Sequence, residues 1–123
     1  MLFQLGSTLL DACVLAVLSK GDAYGYTLTQ QVKTVLDISE STLYPVLRRL
    51  QKDFALETYD EPYQGRNRRY YRITDRGREL YKYYNEEWNK YKESVDSLLG
   101  GANNEYGNIF TGFEKSTEDP AAI

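Results

Sequence analysis

The chain has 123 residues, a net charge of −3, 27% charged and 41% apolar side chains, which suits one ordinary soluble domain with a modest core and not two. It holds no histidine and a single cysteine, Cys13, which excludes an internal disulfide, an ordinary Cys/His zinc site and the commonest general base of enzymes. Charge is unevenly placed: residues 39–82 carry ten of the fifteen lysines and arginines and sum to +3, while residues 83–99 sum to −2 and residues 100–123 to −3, so location says more about partners than the total does.

In chain order, Ser7 or Thr8 is the expected cap of an apolar run from Leu9 to Leu18, and Gly21 its stop. The apolar positions of this first helix cover more than one face, so burial against two partners is expected. Leu10-Asp11-Ala12-Cys13 has the outline of a lipoprotein cleavage box, but no basic residue precedes it and Asp11 interrupts the apolar stretch. Export is therefore not expected, and the run is too short to span a bilayer. A cytoplasmic protein with no membrane partner follows, with Cys13 as a small buried apolar group. A second helix is expected from about Tyr24 to Leu36, with Leu28, Val32 and Val35 turned inward. Ser39 is a strong cap for a third, in which Leu43, Val46, Leu47, Leu50 and Phe54 share one face.

The period then changes. "ALETYD" and "RRYYRIT" are short β-branched and aromatic runs around "EPYQGRN", which reads as a hairpin with a long, polar, mobile tip that must lean on the helices. Thr74 caps a long helix with Asp75 at its electropositive start. Along it Tyr81, Tyr84, Trp88, Tyr91, Val95 and Leu98 step by 3, 4, 3, 4 and 3 residues, the seam of a helix that pairs with another helix. From Gly100 the chain turns rich in Gly, Asn and acids and is expected to be a flexible acidic tail. The expected divisions are residues 1–74, 75–99 and 100–123.

Pro45 stands in the middle of the third helix. With Leu43 set at zero, Leu47, Leu50 and Phe54 lie within about 40° of it, and Ser41, Pro45, Arg48 and Lys52 within about 40° of the opposite side. Thr42 and Arg49 flank that outer face. On spacing alone two readings stand: a surface proline on a solvated basic face, or a recognition helix whose hydroxyls, proline ring and arginines enter the DNA major groove. Tyr24 and Tyr26 are either core aromatics or, for Tyr24, a hydroxyl offered to a phosphate; Tyr26 is assigned to the core. Arg66, Arg68 and Arg69 either protect an exposed edge or touch phosphates and the minor groove.

Helix, helix, helix, hairpin and long helix is the order of a winged helix-turn-helix, mainly α with a small β-hairpin wing and a long C-terminal dimerisation helix. "YGYTL" at 24–28, "STLYPVLRRLQKD" at 41–53 and "RRYYRITDRGREL" at 68–80 resemble the signature blocks of the PadR family of bacterial transcriptional regulators, in the same order and spacing, over roughly residues 8–99. Phe54 departs from the pattern, for the family usually has glycine there, so the exit into the wing is expected to differ. The resemblance implies a repressor that binds palindromic double-stranded DNA as a homodimer. DNA would be met by Tyr24, Ser39, Ser41, Thr42, Tyr44, Pro45, Arg48, Arg49, Lys52, Arg66, Arg68 and Arg69. The dimer would be built on Leu10, Val14, Tyr81, Tyr84, Trp88, Tyr91, Val95 and Leu98. For Trp88 two roles stay open: packing in the seam, or stacking a small aromatic effector as in multidrug-sensing members. No cofactor or metal is expected. A winged helix that binds a ligand or a protein without DNA is the alternative; an enzyme is disfavoured because no acidic pair, phosphate loop or metal cluster stands out.

Overall fold

A computed structural model of the chain describes residue 3 and residues 6–100; the expected tail at 101–123 lies outside the described residues. The elements are α1 (Ser7–Ser19), β1 (Ala23–Tyr24), α2 (Gly25–Val35), α3 (Glu40–Lys52), β2 (Leu56–Tyr63), β3 (Arg66–Ile73) and α4 (Asp75–Leu99). Three helices, an antiparallel sheet in the order β1-β3-β2 and a long last helix make a mainly α winged helix, as the sequence predicts. The chain divides into two compact units after Asn85, so the first turns of α4 belong with the winged helix and Glu86–Leu99 with the second unit.

The core joins Val14, Leu15 and Leu18 of α1, Leu28 and Val32 of α2, and Leu43, Val46, Leu47 and Leu50 of α3 to Ala55, Leu56 and Ile73 of the sheet. Each fully buried leucine contributes about 1.5–3 kcal/mol. Leu80, Tyr81 and Tyr84 of α4 pack on this cluster. Val35 is not part of it: at 81% exposed it ends α2 in solvent, one residue before the backbone turns extended at Leu36. Cys13 is half-buried, and burial raises its thiol pKa.

The caps differ from expectation in instructive ways. α1 starts one residue early, with Gly6 as its N-cap and no side-chain cap, because the Gly6 carbonyl already accepts the Leu10 amide. Thr74 caps α4 as predicted: its Oγ1 accepts the Gly77 amide at 3.0 Å and donates to the Phe54 carbonyl at 2.6 Å. The Thr74 amide also donates to the Ala55 carbonyl at 3.1 Å, so one residue ties the start of α4 to the exit of α3. Gly77 is required by that proximity, since a Cβ there would sit 2.2 Å from the Ala55 carbonyl oxygen.

At the α3 exit Phe54 takes the left-handed conformation, φ 62, with 76% of its surface exposed. The inward placement of Phe54 is thus corrected. The turn itself is kept: the Ala55 amide still reaches the Leu50 carbonyl at 2.9 Å, and an L side chain bears the strain that glycine would avoid.

The wing also differs. Its two strands run together as far as Tyr63 opposite Arg66, leaving Gln64 and Gly65, with φ 50 and φ 78, as a tight two-residue turn of the type whose twist suits a hairpin. The long mobile tip is therefore replaced by paired strand. Pro62 fits because β2 is an edge strand and the pair Pro62↔Asn67 lies one step from the hydrogen-bonded closing pair, where an amide would point outward anyway.

Candidate nucleic-acid interface

α3 is continuous from Glu40 to Lys52 despite Pro45. Pro45 falls in the second turn, on the exposed side, so the Ser41 carbonyl it leaves without an amide donor faces water or a ligand. Around it Ser41, Thr42, Tyr44, Arg48 and Lys52 are exposed, while Leu43, Val46, Leu47 and Leu50 are buried opposite. Neither Arg48 nor Lys52 forms an ion pair with any described residue. Ser39 occupies the N-cap position, but its hydroxyl does not cap the backbone. It pairs with the hydroxyls of Ser41 at 2.9 Å and Thr42 at 3.0 Å, a cluster of three hydroxyls at a helix N-terminus, where the macrodipole favours an anion.

Arg49 does not join this face. Its Nη2 donates to Asp11 Oδ1 of α1 in an ion pair, so the guanidinium expected at DNA is held by the protein and does not stand free as Arg48 does. A helical wheel places Arg49 on the flank but cannot reveal a carboxylate 38 residues upstream.

Strand alternation sorts the wing. Arg66 and Arg68 share one face of β3 with Tyr70 and Arg72, and Arg69 falls on the other. Arg66 is exposed with no ion-pair partner among the described residues. Arg68 is held between two rings, 3.5 Å from the Tyr63 centroid and 4.5 Å from that of Tyr24, a cation–π stack that fixes its direction. Arg69 pairs with Asp60 at 3.5 Å. Tyr24 is half-buried, forms β1 beside Tyr70 and touches the rings of Tyr26 and Tyr70 at 6.4 and 6.0 Å. Tyr26, assigned to the core, is 63% exposed.

The same sheet face carries groups that the sequence reading passed over. Tyr59 stacks on Tyr70 at 5.5 Å and donates to Asp22 at 2.7 Å, and the Arg72 guanidinium bonds Glu57 at 2.8 Å. The Asp22 bond raises the Tyr59 pKa. Period-two alternation in "RRYYRIT" was the available signal. A cavity of about 360 Å³ opens here, with Lys20, Tyr24, Thr27 and Arg68 in its lining.

The expected dimer residues separate into three groups. Leu10 and Val14 are 4% and 0% exposed inside the protomer's own core, which corrects their assignment to an interface. Tyr81 and Tyr84 are half-buried against that core. Within the second unit Trp88, Tyr91 and Leu98 are 37%, 65% and 77% exposed, Val95 is half-buried, and the Trp88 and Tyr91 rings lie 6.1 Å apart. Among the described residues no group of three or more His, Cys, Asp or Glu could hold a metal, and no helix is long and apolar enough to cross a membrane.

Comparison with known proteins bears on this geometry. The sequence profile of the transcriptional regulator PadR-like family matches residues 14–83. Transcriptional regulator Rv3488 of Mycobacterium tuberculosis is 34% identical over 88 residues, covering 71% of this chain and 79% of its own. Among solved structures, smu.1704 of Streptococcus mutans superposes with a TM-score of 0.75 at 39% identity, covering 85% of this chain and 98% of its own. A PadR-like transcriptional regulator of Bacillus cereus gives 0.69 at 32% identity, with 76% and 93% covered.

Proposed function

The chain belongs to the PadR-like family of transcriptional regulators, and from that premise we propose that it reads duplex DNA with the outer face of α3, as a homodimer on an inverted repeat, and represses the promoter it occupies. The observation that carries the reading is the condition of that face. Ser41, Thr42, Tyr44, Pro45, Arg48 and Lys52 are exposed together, and its cations have no acidic partner among the described residues.

Arg48 grips guanine through O6 and N7, and the Pro45 ring meets a thymine methyl. The hydroxyls of Ser39, Ser41 and Thr42 take a phosphate at the helix N-terminus, which sets register without reading sequence. Tyr24, Tyr44, Lys52 and Arg66 add contacts to the backbone. Trp88, Tyr91, Val95 and Leu98 form the seam between two copies, so two reading helices about 34 Å apart meet successive major grooves. A flat aromatic effector stacking on Trp88 releases DNA by favouring a different spacing, which requires unequal affinity for the two arrangements.

The test uses the duplex that the wild-type protein enriches from a random pool and a scrambled duplex of equal length. Arg48→Ala is expected to cost about 1–3 kcal/mol on the enriched duplex and much less on the scrambled one. Equal losses on both remove the base-reading role. A wild type that enriches nothing and shows no salt-sensitive retardation favours a winged helix serving a protein or small ligand instead.

A further inference from the structure

Arg48 and Arg49 are neighbours with opposite surroundings, and the second leads to the only buried charged residue among the described residues. Asp11, on the inward side of α1, is 7% exposed and receives Arg49 Nη2 from α3. The Arg49 side chain remains 40% exposed, so it crosses the boundary between the core and the surface that bears Arg48. Two other titratable groups lie in electrostatic reach: Asp53, the C-cap of α3, and Tyr84 of α4, whose phenol responds to Asp11, Arg49 and Asp53.

We propose that Asp11 and Arg49 are positioning residues for DNA reading: their bond fixes the rotation of α3 against α1 and thereby the direction in which Arg48 is presented. The inference rests on the DNA-reading function above and adds residues that do not touch DNA.

Two arguments support it. Adjacent helical residues are about 100° apart around the axis, so anchoring Arg49 inward leaves Arg48 a narrow range of directions. Apolar packing alone specifies this less sharply, because cores tolerate repacking among similar volumes, whereas a guanidinium on a carboxylate is directional. The second argument is energetic. Burial raises the Asp11 carboxyl above its ordinary 3.8 despite the hydrogen bond and attraction of Arg49. A proton is thus held more tightly in the folded chain, and stability falls as pH rises from 3.8 through the raised value. Burial therefore offsets much of what Arg49 offers the carboxylate, and such a pair contributes more to direction than to stability.

The experiment measures preference, the ratio of affinities for the enriched and scrambled duplexes, in Asp11→Asn, Arg49→Met and Arg49→Lys. Asp11→Asn and Arg49→Met are expected to lower preference about tenfold, the size of one lost base contact, with affinity for the scrambled duplex nearly unchanged and Arg49→Lys partly restoring it. A second readout needs no folded Arg49 variant. Lowering pH from neutrality into the carboxylate range protonates Asp11 in the wild type, weakens its hold on Arg49 and lowers preference, whereas Asp11→Asn gives a flat profile. Folded variants with wild-type preference, or identical pH profiles for wild type and Asp11→Asn, overturn the proposal. A wild type without any preference removes the functional reading itself, a different and separately visible result.

Discussion

Phe54 holds φ 62 with most of its ring in solvent, so it bears backbone strain without the burial that would offset it. A left-handed L residue costs about 1–2 kcal/mol, and glycine recovers that while losing about 0.5–1 kcal/mol of unfolded-state entropy. Phe54→Gly is therefore expected to stabilise the domain by about 0.5–1 kcal/mol, raising Tm by about 2–8 °C. Unchanged or lower stability in denaturant titration would mean that the exposed ring makes a compensating contact. At this scale sequence reading reaches only as far as one helix. The wheel separates Leu43 from Arg48 correctly, because both answer to the same axis. It puts Arg49 on the flank but says nothing of its partner on another helix, and it does not reach Leu10 and Val14, whose apolar character is equally at home in a core or an interface.

Among the elements, the wing is where spacing and structure part. Helices announce themselves by period and caps, and Thr74 performs as a cap because its hydroxyl has the Gly77 amide to receive. β1 has two residues, too few for any period, and pairs with β3 only because the chain returns past it. "EPYQGRN" looks like a loop by its proline and glycine, yet an edge strand accepts Pro62 and a two-residue turn needs only Gln64 and Gly65. The corrected wing gives its arginines different tasks. Arg66→Ala is expected to lower the log–log salt slope of DNA binding by about 0.9, the value for one phosphate contact. Arg69→Ala, on the opposite face and paired with Asp60, is expected to leave the slope unaltered. Arg68→Ala removes the filling between Tyr24 and Tyr63 and is expected to weaken the sheet as well as DNA binding. Equal slopes for the wild type and Arg66→Ala would take the wing tip off the DNA.

For the whole molecule, the decisive quantity is whether two reading heads are physically linked. A 3-4 seam would suit a helix pair along its full length, but its first members, Tyr81 and Tyr84, already pack on the protomer's core. The open stretch that remains begins at Trp88. Trp and Tyr dominate interface energetics when they become buried, often by about 2 kcal/mol or more each, so Trp88 and Tyr91 are the anchors to remove. The wild type is expected to sediment as a dimer, and a Trp88→Glu, Tyr91→Glu double variant as a monomer at the same concentration. Its winged unit, whose core lies before residue 86, should keep its near-ultraviolet and thermal signatures, apart from the lost indole. Linkage also makes a quantitative demand on DNA. Two tethered heads gain about 10²–10⁴ in affinity over one, so the variant should lose that factor on an inverted repeat while binding an isolated half-site as the wild type does. If the variant is monomeric yet retains full affinity for the repeat, the heads act independently and the seam serves some other partner. If it stays dimeric, the pairing surface lies elsewhere on the chain.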